Sequence, residues 1–221
     1  MVIDSSADLL LKLHSMGLIS GDRFPFWWPG YGTWIVLVTA ILTQQSQWRR
    51  VEQSVNNLFA AGLDSSQKLL SADWEVVARA IAPSGLYNQK SRRVVKLFEA
   101  MKADYGTFED FARLVTREWL LEREGVGYES ADAILCYACK RPVIAADRYA
   151  AKLLALLGRE TEGYEETQNY LNDGVKNEFS RIEKVLGLSL EATCAYFHGA
   201  IVEFMRDKQD TDTKIARLMS D

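Results

Sequence analysis

Residues Leu121 to Asp147 read LEREGVGYESADAILCYACKRPVIAAD, and the reading of the whole chain turns on this stretch. Gly125-Val126-Gly127 predicts a tight turn. From Ser130 onward the apolar residues Ala131, Ala133, Ile134, Leu135 and Ala138 recur at helical spacing. Two close glycines ahead of a helix let backbone N–H groups converge on an anion, because no Cβ blocks its approach. Past Pro142, one carboxylate, Asp147, stands where a further apolar-periodic helix begins with Tyr149, Leu153, Leu154 and Leu157. Each piece alone has a plainer reading: the glycine pair as an ordinary helix connection, Asp147 as a helix N-cap. Their pairing, about twenty residues apart and with further landmarks upstream, favours a functional one.

Outward from this stretch nearly everything reads as helix. Val51, Val55, Leu58 and Phe59 form one stripe, and Val94, Leu97, Phe98 and Met101 another. Phe108, Phe111, Leu114 and Val115 follow a Thr107 cap with Asp110 three residues on. Tyr196, Phe197, Ile201, Phe204 and Met205 supply a late stripe. Pro25, Pro29, Pro83 and Pro142 all fall between helical patterns, where a helix breaker belongs. No sustained alternation of apolar and polar residues argues for a sheet, so the predicted class is all-α.

Composition sets the outer bounds. The chain has 221 residues, 48% of them apolar, enough for one sizeable core or two smaller ones. The longest apolar run, Trp34 to Leu42, is too short to span a bilayer and reads as a buried helix. The opening residues show no basic stretch ahead of a long apolar one, so export is not expected; with only three cysteines, a reducing cytoplasm is. Net charge is −4, which argues mildly against a nucleic-acid partner. However, an amide-lined turn needs few cations, and basic residues cluster at Arg49-Arg50, Lys90 with Arg92-Arg93, Lys140-Arg141, and Arg148 with Lys152.

Four landmarks in order carry a family resemblance: Leu42-Thr43-Gln44-Gln45-Ser46, then Gly85-Leu86-Tyr87-Asn88-Gln89-Lys90, the Gly125–Gly127 hairpin, and Asp147. This series resembles the helix–hairpin–helix DNA glycosylases of the endonuclease III superfamily, over roughly residues 31–157. The resemblance implies a six-helix barrel at 31–139 and a second helical lobe built from 1–30 and 140–221. It implies double-stranded DNA containing a damaged base as partner, Asp147 as the catalytic carboxylate, and Gln45, Lys90, Gly125, Gly127 and Ser130 as DNA contacts. No membrane partner is expected, and the chain is expected to act as a monomer.

Bifunctional members carry a lysine two residues after the second hairpin glycine, which attacks the sugar. Glu129 occupies that position here, which implies a monofunctional enzyme that leaves an abasic site. Where most of the superfamily has a proline before the hairpin, this chain has Glu124. Many relatives hold a four-cysteine iron–sulfur cluster; Cys136, Cys139 and Cys194 lack a fourth thiolate. A zinc site completed by His198 or His14 is the alternative to buried thiols, and the expectation is no metal and no cofactor.

Two aromatic features bear on which base is taken. Phe26-Trp27-Trp28-Pro29 lies in an irregular segment, where two adjacent indoles cannot both enter one core from a helix, and Trp48 follows the glutamine turn. An electron-rich aromatic site suits a cationic base. Purines alkylated at N3 or N7 are such cations, and they leave with little acid catalysis. Together with Phe197-His198-Gly199, these segments resemble the 3-methyladenine branch of the superfamily, which implies Trp27, Trp28, Pro29 and Trp48 as base contacts. The competing readings are a glycosylase for oxidised or mismatched bases and a non-catalytic DNA-binding module.

Overall fold

The computed structural model describes residues 3–220, and among them every regular element is a helix. The chain divides into two compact units. One holds the chain through Pro29, including helix α1 (Ser6–Ser15), and resumes at Lys140; the other is Gly30–Cys139.

Within Gly30–Cys139, α2 (Ile35–Leu42) is apolar on all sides, and seven of its eight residues are buried, as an all-round apolar helix must be. Around it stand α3 (Trp48–Ala60), α4 (Ser66–Leu70), α5 (Trp74–Ala80) and α6 (Tyr87–Tyr105). The stripe expected at Val94, Leu97, Phe98 and Met101 is the buried face of α6, which packs on α2 and α5. Helix α7 (Phe108–Leu114) starts at the Thr107 cap, whose hydroxyl accepts the Asp110 amide at 3.1 Å. Thr116 caps α8 (Arg117–Leu121) in the same way. The glycine turn follows, then α9 (Tyr128–Ala133), which runs on into one π-turn at Ile134–Ala138. All five residues of that turn are buried, so packing on both sides stabilises a geometry that is rare on its own.

The other unit adds α10 (Arg148–Leu156), α11 (Tyr164–Asn177), α12 (Phe179–Leu186), α13 (Leu190–Arg206) and α14 (Thr211–Met219). Its centre is α13, which packs against α1, α10, α11 and α12. Leu9, Leu10, Leu13, Leu153, Phe197, Ile201 and Phe204 meet there in one buried cluster. Helix α11 comes so close to α1 that a Cβ on Gly174 would lie 2.1 Å from the Ser6 hydroxyl, which instead donates to the Leu171 carbonyl at 2.9 Å. Among the described residues no single helix is long and apolar enough to cross a membrane.

Candidate active site

The hairpin owes its shape to two glycines acting in different ways. Gly125 has φ +80°, and an added Cβ would sit 2.4 Å from the Arg93 side chain, so both conformation and space require glycine. Gly127 is extended, caps α9 without any side-chain hydrogen bond, and has nothing within 4 Å of where a Cβ would be. Its backbone is therefore open to an approaching group. The neighbouring Gln44 holds the turn from inside: its amide donates to the Gly125 carbonyl at 2.8 Å and to the Ser130 hydroxyl at 3.0 Å. Sequence reasoning missed Gln44, because nothing in two adjacent glutamines tells which one points inward. Ser130, expected to contact DNA, is buried, with its hydroxyl engaged by Gln44. Across the turn, Arg117 makes a two-pronged pair with the buried Asp132, both bonds 2.9 Å, joining α8 to α9. Glu124, the residue in place of proline, pairs with Lys96 on α6 at 2.7 Å; that contact holds its carboxyl below the usual range.

Lys90, expected as a DNA contact, is only 2% exposed, and its ammonium donates to the carbonyls of Leu42 at 2.8 Å and Ser84 at 2.9 Å. Burial, aided by the nearby Arg93 charge, pulls it down to about 8. Each carbonyl lies just ahead of a loop with an unusual backbone. After Leu42 comes Gln45, exposed and at φ +52°; after Ser84 comes Leu86, 58% exposed and at φ +47°. Two non-glycine residues in the left-handed region, both turned to solvent, mark locally strained loops. Lys90 is the internal strut that ties the bases of the two loops together. Trp48, at the start of α3, is half-buried, with its indole N–H donating to Glu52 at 2.7 Å.

In the other unit, Asp147 is the N-cap of α10. Its Oδ1 accepts the Tyr149 amide at 2.9 Å and the Ala150 amide at 3.0 Å. Its Oδ2 makes no hydrogen bond among the described residues and lies 3.8 Å from Nε2 of the buried His198. The extended segment leading to it is fixed by α11: Asn172 accepts the Ile144 amide at 3.0 Å, and Gln168 donates to the Ile144 carbonyl at 2.9 Å. The result is one oxygen that locks the carboxylate and one without a hydrogen bond among the described residues, at a residue 9% exposed.

Trp27 lies in the same unit, with φ +37° and its ring edge-on to His198, centroids 5.6 Å apart. Its indole N–H donates to Glu203 at 2.7 Å. Trp28 is 8% exposed and meets Trp27 edge-to-face at 6.0 Å, while Pro29 is exposed. His198, Gly199 and Glu203 all come from α13. The structure thus gathers Asp147, Trp27, Trp28 and Pro29 in one unit, and Gln45, Trp48, Lys90, Gly125, Gly127 and Ser130 in the other. Cys194 is buried, which pushes its thiol up to about 12.

A glycine hairpin feeding a short helix, followed in the chain by a carboxylate that caps the next helix, is the local arrangement expected of a helix–hairpin–helix DNA glycosylase of base excision repair. The chain belongs to the HhH-GPD superfamily of base excision DNA repair proteins, whose sequence pattern matches residues 38–177. It is 35% identical to an inferred DNA repair glycosylase of Methanocaldococcus jannaschii, over 90% of this chain and 88% of that protein. Among solved structures, it resembles the H. pylori 3-methyladenine DNA glycosylase bound to 1,N6-ethenoadenine. That match has 36% identity and a TM-score of 0.89, over 93% of this chain and 99% of the other. An endonuclease III–DNA complex, 19% identical with a TM-score of 0.63 over 89% of this chain and 82% of that one, shares the fold.

Proposed function

We propose that this protein is a monofunctional glycosylase that excises alkylated purines such as 3-methyladenine from double-stranded DNA and leaves an abasic site. The observation that carries the reading is the division of labour within Asp147: Oδ1 held by two amides, Oδ2 left without a hydrogen bond among the described residues. As the base departs, positive charge develops on the deoxyribose. A fixed carboxylate oxygen stabilises that charge without having to reorganise, and it can orient the attacking water. Glu129, exposed at the position where bifunctional relatives carry lysine, offers no amine to the sugar.

Trp27, Trp28, Pro29 and Trp48 are assigned to the flipped base, which enzymes of this kind read by stacking. The neutral carboxamide of Gln45 and the exposed Leu86 are assigned to the duplex at the lesion. A strained, solvent-facing apolar side chain suits the wedge that partly unstacks a base step. Gly125 and Gly127 present backbone to phosphate, with Ser130 and Lys90 supporting the loops from inside. The similarity to the H. pylori 3-methyladenine glycosylase supports the choice of base class.

The test is base release from matched duplexes carrying 3-methyladenine, uracil, 8-oxoguanine or a mismatch. Release from the alkylated duplex well above the others is expected. Release confined to uracil, oxidised or mismatched bases would overturn the assignment.

A further inference from the structure

Trp27 is held more firmly than packing requires. Its backbone sits at φ +37°, a conformation that is costly for a bulky residue and survives only where the surroundings dictate it. They do so from α13. At Gly199 an added Cβ would lie 2.4 Å from the Trp27 Cβ and 2.5 Å from its Cγ, so glycine there makes room for the indole. One turn on, Glu203 Oε1 accepts the indole N–H at 2.7 Å and also the Arg23 guanidinium at 2.8 Å.

We propose that Glu203 is a specificity-determining residue, which fixes Trp27 and enriches its π face for a positively charged base. An indole N–H that donates to a carboxylate passes electron density into the ring, and neighbouring hydrogen bonds polarise one another most where water is scarce. The ring face then attracts a cation more strongly. Burial alone would raise the Glu203 carboxyl, but the hydrogen bonds from Trp27 and Arg23 outweigh it and keep it below the ordinary range. Arg23, held by the same carboxylate at 2.8 Å, lies 5.7 Å from the Trp27 ring centroid, so Glu203 fixes both the indole and the cation beside it. This role rests on the alkylated-purine reading.

The experiment uses the full chain bound to an abasic duplex. Indole fluorescence follows the binding of a permanently cationic N3,N9-dimethylated adenine and of its neutral N9-methyl counterpart. Glu203→Gln keeps an acceptor but removes the charge. It should weaken cation binding about 3- to 10-fold, move neutral-base binding less, and leave abasic-duplex affinity within about twofold. The Trp27 indole N–H proton resonance, identified with Trp27→Phe, should shift upfield in the same variant. Equal losses for both bases, or none for either, would overturn the role of Glu203. If wild-type protein shows no preference for the cation, the alkylated-purine reading fails first, and that result is visible before any variant is made.

Discussion

One oxygen of Asp147 is taken up by the two amides that open α10, and this determines what a substitution there reports. Asparagine can still cap a helix, so Asp147→Asn removes the charge while keeping the fold. Base release under single-turnover conditions should fall about 100- to 1,000-fold, the equivalent of about 3–4 kcal/mol of transition-state stabilisation. Thermal unfolding should change little. A variant that keeps more than about a tenth of the activity would reduce Asp147 to a cap. Lys90 makes a different kind of prediction, because its folded value near 8 lies below the 10.5 of an unfolded lysine. The unfolded chain therefore binds the extra proton between those values, and stability from this residue rises with pH across that window. The neutral amine still has two hydrogens for its two carbonyls, so the strut survives deprotonation. Lys90→Met should be destabilised, since two buried carbonyls lose their donor. Its deficit against wild type in denaturant unfolding should widen from about pH 7.5 to about pH 9.5. A deficit that narrows would contradict the buried, proton-shedding role.

At the scale of elements, Gly127 and Gly125 call for different expectations. Gly125 cannot be changed without moving Arg93, so its variants mix folding with function. Gly127 is extended and faces open space, which makes Gly127→Asp a clean probe. Placing a carboxylate there should weaken all duplexes on the order of tenfold, lesion or none, because phosphate contacts carry no sequence information. Loss confined to one lesion, measured by equilibrium binding, would rule out a phosphate-gripping hairpin. The same elements show what a single sequence makes legible. The apolar run of α2, the Thr107 cap and the glycine hairpin are local signals, each readable within a turn or two of helix. Asp147 could be read both as cap and as carboxylate because the cap geometry is itself local. Gln44, Ser130 and Lys90 were harder, since polar residue types suggest solvent, and only tertiary packing decides that their partners are carbonyls and hydroxyls inside the unit. Glu203 was invisible for a related reason: its partners Arg23 and Trp27 lie 180 and 176 residues away in the chain.

For the whole molecule the puzzle is a net charge of −4 on a protein of a DNA repair superfamily. Many of its cations are already neutralised within the fold. Arg117 is paired with Asp132, Arg23 with Glu203, Arg181 with Asp8 and Glu178, Arg217 with Asp207, and Lys96 with Glu124. The exposed pairs contribute little stability individually, but each lowers the number of positive charges presented to a polyanion. Lys90 is withdrawn altogether. The glycine hairpin and exposed cations such as Arg49, Arg50, Arg92 and Arg148 are then the groups to weigh against each other as phosphate contacts. Amides bind phosphate without displacing as many condensed counterions as a cationic surface would, so affinity should depend only weakly on salt. Each neutralised phosphate releases about 0.9 condensed counterion, which sets the slope of log affinity against log salt concentration. Four neutralised phosphates would give a slope of about −3.6, and a grip dominated by backbone amides should be shallower than that. A fluorescence-anisotropy titration on an abasic duplex across a fourfold range of salt measures this directly. A slope near −6 or steeper would mean that a basic surface, rather than backbone amides, dominates the grip on DNA.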